Sequence, residues 1–131
     1  MPGLKTYLVE DSPVIRENLI ATLEELGPVE LVGMAEDEDT ALRWLAESGN
    51  TVDLVIVDIF LRTGSGLGIL RGAAPLRPQA RFVVLTNYAS PDMRRTCLAL
   101  GAAEVFDKSN DIDALITYCS ILAASKTAAA A

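Results

Sequence analysis

Short apolar runs alternate along this chain with longer segments in which apolar residues recur at helical spacing. "TYLV" (6–9) is the first run. "SPVIRENLIATLEEL" (12–26) follows, with Ile15, Leu19, Leu23 and Leu26 spaced for one helix face. Ser12 suits the N-cap, Pro13 suits the first helical position, and Gly27-Pro28 ends the segment. "VELVGMA" (29–35) predicts a second strand. "DEDTALRWLAES" (37–48) predicts a second helix, its first turn acidic as the helix dipole favours. "VDLVIVD" (52–58) is the third strand. Gly64, Gly66, Gly68 and Gly72 keep the helix after it short, because an interior glycine costs about 1 kcal/mol relative to alanine.

"RFVVLT" (81–86) is the fourth strand. "SPDMRRTCLALG" (90–101) is a helix ending on Gly101, suited to a left-handed cap. "AEVF" (103–106) is a brief fifth strand. "NDIDALITYCSILAAS" (110–125) places Ile112, Leu115, Ile116 and Cys119 on one helical stripe. The folded unit is read as residues 4–123, and residues 124–131 as a disordered tail.

Strands separated by helices cannot pair as hairpins, so the sheet is predicted to be parallel with right-handed crossovers. The third and fourth strands are almost wholly apolar, as strands covered on both faces must be. The fold class is therefore α/β: a three-layer sandwich of five strands and five helices, with no second domain.

Composition narrows the chemistry. The chain has 131 residues and a net charge of -7, which opposes nonspecific binding to nucleic acid. No apolar run approaches the roughly 18 residues of a membrane span. The start, "MPGLKTYLVED", lacks the basic and apolar segments of a secretory signal, so a cytoplasmic location is expected. Cys97 and Cys119 both fall in helical patterns and read as reduced thiols. Histidine is absent, which removes Ser/His and Cys/His nucleophile pairs and most zinc chemistry.

In a parallel sheet the carboxyl ends of all strands share one rim, where ligands bind. Strand one ends in Glu10-Asp11, strand three in Asp58 and strand four in Thr86, and strand five is followed by Lys108. Strand two ends in Ala35-Glu36, with no evident role. Three carboxylates in one crevice repel each other, and a divalent cation relieves that repulsion. Oxygen-only ligands favour magnesium. A carboxylate beside such an ion can attack phosphorus, with Lys108 neutralising the transferred group and Thr86 donating a hydrogen bond to it.

The motifs "LVEDS" (8–12), "VIVDIFL" (55–61), "VVLTNYAS" (83–90) and "GAAEVFDKS" (101–109) together resemble the receiver domain of bacterial two-component response regulators, over about residues 4–123. The resemblance implies a flavodoxin-like strand order, 2-1-3-4-5. It implies that Asp58 accepts a phosphoryl group from a sensor histidine kinase or a phosphotransfer protein. Asp11 would bind Mg2+ directly, Glu10 through water, and the Phe60 backbone carbonyl would be a further ligand. Thr86 and Lys108 would sense the aspartyl phosphate. The chain would then be no enzyme beyond its own phosphorylation and slow dephosphorylation. It would act by switching contacts with a downstream protein, or with a second copy as a homodimer. Met93, Arg94, Arg95, Asp107 and Asp113 are candidate contacts.

Four positions depart from the family's commonest pattern. Val105 stands where an aromatic residue usually swings inward, and neighbouring Phe106 is predicted to face the other side of the sheet. Ser109 replaces the proline after the lysine. Arg62 replaces the proline four after the phosphoacceptor, so the Arg62–Gly64 loop is expected to be freer. Asn87 replaces a small residue and narrows the phosphodonor's access. Bulky Phe60 and Tyr88 flank the path of an attacking water, which predicts slow dephosphorylation. The alternative is a degenerate receiver that binds partners without phosphorylation. Val105 and Ser109 favour it, and the intact Glu10, Asp11, Asp58, Thr86 and Lys108 oppose it. An aspartate-nucleophile phosphatase would need an acid where Phe60 stands, and "GSGLG" (64–68) lacks dinucleotide-loop spacing.

Overall fold

The computed structural model describes residues 3–87 and 89–130. Among them, strands and helices alternate as β1 (Leu4–Val9), α1 (Pro13–Leu26), β2 (Val29–Ala35), α2 (Glu38–Ala46), β3 (Leu54–Val57), α3 (Gly66–Ala73), β4 (Arg81–Thr86), α4 (Pro91–Ala99), β5 (Ala102–Asp107) and α5 (Ile112–Ala130). All neighbouring strands pair in parallel, in the order β2-β1-β3-β4-β5. This is the flavodoxin-like three-layer sandwich that the resemblance implied.

Alternation along each strand divides the core between the two faces of the sheet. Tyr7, Val57, Val84 and Val105 face α2, α3 and α4, where Leu45, Ile69 and Cys97 complete one cluster. Leu8, Ile56, Leu85 and Phe106 face α1 and α5, where Leu23 and Leu115 complete the other. Every residue of β3 is buried, as its unbroken apolar run required. Val105 and Phe106 lie on opposite faces, and Phe106 packs edge-on against Tyr118.

The helix ends follow their local chemistry. The Ser12, Asp37, Ser65 and Ser90 side chains each accept a backbone N–H of the first turn, capping α1 to α4. Gly101, after α4, has φ +112, a conformation that favours glycine.

Three expectations are revised. Only Leu19 and Leu23 of the four-residue α1 stripe are buried; Ile15 is 39 % exposed and Leu26 61 %. Leu19 and Leu23, in the middle of α1, join the cluster of Leu4, Leu8 and Leu115, while Ile15 and Leu26 lie outside it. The last helix does not end near residue 123: α5 runs to Ala130, and Lys126 Nζ donates to Asp53 Oδ2 at 2.7 Å. Alanine and lysine are strong helix formers, and the Asp53 pair ties the added turns to the start of β3. The Arg62–Gly64 loop is not free either, as its contacts show below.

Candidate functional site

Hydrogen bonding along the strands brings their carboxyl ends into line. The Asp58 amide donates to the Val9 carbonyl, and the Lys108 amide donates to the Thr86 carbonyl. Asp58 thus follows Val57 out of the fully buried β3, directly beside Glu10 and Asp11 at the end of β1. Asp58 is 7 % exposed, Glu10 2 %, and Thr86 is fully buried.

The acids are held by specific donors. Lys108 Nζ donates to Glu10 Oε1 at 2.5 Å and to Asp58 Oδ2 at 2.8 Å. Glu10 Oε2 accepts from the Ser12 amide at 3.1 Å, and Asp58 Oδ1 from the Phe60 amide at 3.3 Å. Asp11 Oδ2 accepts from the Arg62 amide at 2.8 Å. Burial alone pulls the Lys108 ammonium down, but its hydrogen bonds to Asp58 and Glu10 outweigh that and hold its pKa above the ordinary value. Lys108 is the ammonium between two buried carboxylates.

One oxygen from each of Glu10, Asp11 and Asp58 lies within 4.8 Å of the others. This donor set fits a hard divalent cation such as Mg2+, because every side-chain ligand atom is an anionic oxygen and two of the three acids are buried. A cavity of about 170 Å³ opens onto the cluster, lined also by Ser12, Ile15, Phe60, Thr86, Asn87 and Lys108. The predicted residues Glu10, Asp11, Asp58, Phe60, Thr86, Asn87 and Lys108 are therefore brought together. Tyr88 lies outside the described residues.

Four features go beyond what the sequence indicated. Gly66 is one: a Cβ there would sit 2.2 Å from the Asp58 carbonyl oxygen, so only glycine lets α3 start this close to β3. Its position just beyond an apolar strand was the available signal. Glu36 has a partner after all, accepting from Arg16 Nη1 at 3.0 Å, while the same nitrogen donates to the Glu10 carbonyl. Glu38 accepts from the Ser65 amide at the start of α3. Arg94, expected as an outward contact, instead turns inward. Its guanidinium donates to the Val105 carbonyl at 2.7 Å and the Ala89 carbonyl at 3.3 Å, with Asp111 at 3.8 Å.

The fold and this pocket define a doubly wound α/β domain with an acidic, lysine-closed pocket at the carboxyl edge of its sheet. Residues 6–120 match the response regulator receiver domain, and the chain belongs to that family of two-component signalling domains. It is 26% identical over 107 residues to the transcriptional regulatory protein CitB of Klebsiella pneumoniae, covering 82% of this chain and 44% of that protein. It is 31% identical over 107 residues to protein-glutamate methylesterase/protein-glutamine glutaminase 1 of Syntrophus aciditrophicus, covering 80% of this chain and 30% of that one. The chain thus spans less than half the length of these two relatives.

Among solved structures, a LuxR-family two-component response regulator from Aurantimonas superposes with a TM-score of 0.82 at 25% identity, covering 93% of this chain and 86% of that chain. A response regulator from Burkholderia pseudomallei, solved with a phosphorylated aspartic acid, a calcium ion and citrate, gives 0.75 at 27% identity, covering 97% and 73%. No helix among the described residues is long and apolar enough to cross a membrane.

Proposed function

We propose that this receiver accepts a phosphoryl group on Asp58 from a sensor histidine kinase or a phosphotransfer protein in the cytoplasm, and that phosphorylation changes which protein it contacts. One observation carries the reading: a buried carboxylate at the end of β3 is paired with Lys108 and lies within one ligand cluster with Glu10 and Asp11. The phosphorylated aspartic acid and calcium ion of the Burkholderia protein are consistent with it.

A carboxylate oxygen of Asp58 attacks the donor's phosphorus. An O–P bond forms as the P–N bond to the donor imidazole breaks, and the imidazole keeps the electron pair. Lys108 neutralises charge on the transferred oxygens, and the Thr86 hydroxyl donates to one of them. Glu10, Asp11, Asp58 and the Phe60 carbonyl are the groups that hold Mg2+. Bound there, Mg2+ offsets the negative charge that gathers as the phosphoryl group approaches three carboxylates.

Beryllofluoride, a phosphoryl mimic, tests this assignment by fluorine NMR. A bound signal that needs Mg2+ and disappears in Asp58→Asn supports it. Absence of a bound signal in the wild type returns the chain to the phosphorylation-independent binding module.

A further inference from the structure

The segment joining β3 to α3 reaches back into the pocket through its backbone. Residue 62 is arginine, so it has an N–H that a proline would lack, and that N–H donates to Asp11 Oδ2 at 2.8 Å. The Arg62 guanidinium contributes little here: it is 83 % exposed, with its Nε 4.0 Å from the same oxygen. The amide is what fixes the carboxylate.

The strap that delivers this amide is clamped from α2. Glu38 Oε1 accepts from the Ser65 amide at 2.8 Å, and the Glu38 amide donates to the Thr63 carbonyl at 3.4 Å. The Glu38 side chain lies flat on two glycines. A Cβ at Gly64 or at Gly68 would come within 2.4 Å of it, and Gly64 has φ +83. Phe60 pairs with Ser65 across the strap in an antiparallel bridge, and the Gly66 amide donates to the Ile59 carbonyl at 3.0 Å. Both ends of the strap are closed.

The geometry points to Glu38 and the Arg62 amide as positioning groups for the cation site: Glu38 clamps the strap, and the strap's amide orients Asp11. This rests on the reading of Glu10, Asp11 and Asp58 as cation ligands. A carboxylate with one oxygen already held has less freedom to lose when the other oxygen meets a cation, and hydrogen-bonding partners of metal ligands commonly contribute about 10–100-fold in affinity.

Titration calorimetry with Mg2+ on the full chain tests it. Arg62→Ala keeps the amide and binds Mg2+ within about twofold of wild type. Arg62→Pro removes the amide and weakens Mg2+ about tenfold or more. Glu38→Ala weakens Mg2+ in the same direction, and Glu38→Gln, whose amide oxygen still accepts from Ser65, recovers most of the loss. Thermal unfolding without Mg2+ identifies any variant that fails to fold; if Arg62→Pro does, the Glu38 pair decides. Unchanged or tighter binding in folded Arg62→Pro, or in Glu38→Ala, overturns the positioning role. If wild type and Asp11→Asn titrate identically, the cation-site reading itself falls.

Discussion

Lys108 sits between two buried carboxylates of the pocket. With its side chain 12 % exposed and bonded to both Glu10 and Asp58, it shares one positive charge between them. Lys108→Ala leaves both uncompensated, and the expected loss is on the order of 3–5 kcal/mol, the range for breaking a buried pair. Mg2+ then raises the melting temperature of the variant by more than it raises that of wild type. Equal increments would show that Lys108 and the cation do not share a task. Phe60 lines the same pocket and is 52 % exposed, a large apolar ring in the pocket that Asp58 lines. Phe60→Ala is expected to shorten the phosphorylated lifetime by opening the water's approach, as followed by loss of phosphoryl mass over time; an unchanged lifetime would remove the ring from that role. Both residues were legible in the sequence as members of the site, because each sits at a fixed offset from a strand end.

Elements aim these side chains, and their contacts were less legible. Apolar runs revealed the strands, most plainly β3, where burial on both faces leaves no polar position. The glycines in and just before α3 were read only as weakening a helix, since propensity is local. Their cause is a neighbour outside the helix: Gly66 faces the Asp58 carbonyl, and Gly64 and Gly68 face Glu38. Gly66→Ala is expected to cost about 1–3 kcal/mol, the range for overpacking, and to displace Asp58. A urea midpoint equal to wild type would refute the close approach. Arg94 was hidden for the same reason. Its charge marks it as a surface residue, but its guanidinium ties α4 to the carbonyls of Val105 and Ala89. Arg94→Ala is expected to lose about 1.5–3 kcal/mol, as for hydrogen bonds from a charged group, where a free surface arginine would lose almost nothing.

At the scale of the whole molecule, two apolar layers close over one sheet, and their burial sets the alkaline limit of stability. Burial raises the Cys119 thiol from 9.0 to about 11. Burial, with a smaller contribution from the Asp37 charge, raises the Tyr7 hydroxyl from 10.0 to about 12. Between those values the folded chain holds protons that the unfolded chain has lost, so stability is full below about pH 9 and falls as pH climbs toward 12. Urea midpoints across that window should show the fall, and Tyr7→Phe should flatten its upper part. A flat wild-type profile would mean that the two groups are hydrated when folded. Cys97 and Cys119 are free and lie on opposite faces of the sheet, so the two thiols of one chain do not pair, in line with their reading as reduced thiols.

The sheet order came from family resemblance and not from the hydrophobic pattern, because alternation fixes which segments are strands but not which strands are neighbours. The architecture sets Asp58 at the carboxyl edge of the sheet, where the proposed phosphorylation would take place. The most direct measurement is intact mass after incubation with a small-molecule phosphodonor, with and without Mg2+, on wild type and Asp58→Asn. The expected result is a Mg2+-dependent gain of one phosphoryl group that the variant lacks. A wild-type mass that stays unchanged, or a gain that persists in Asp58→Asn, would contradict it.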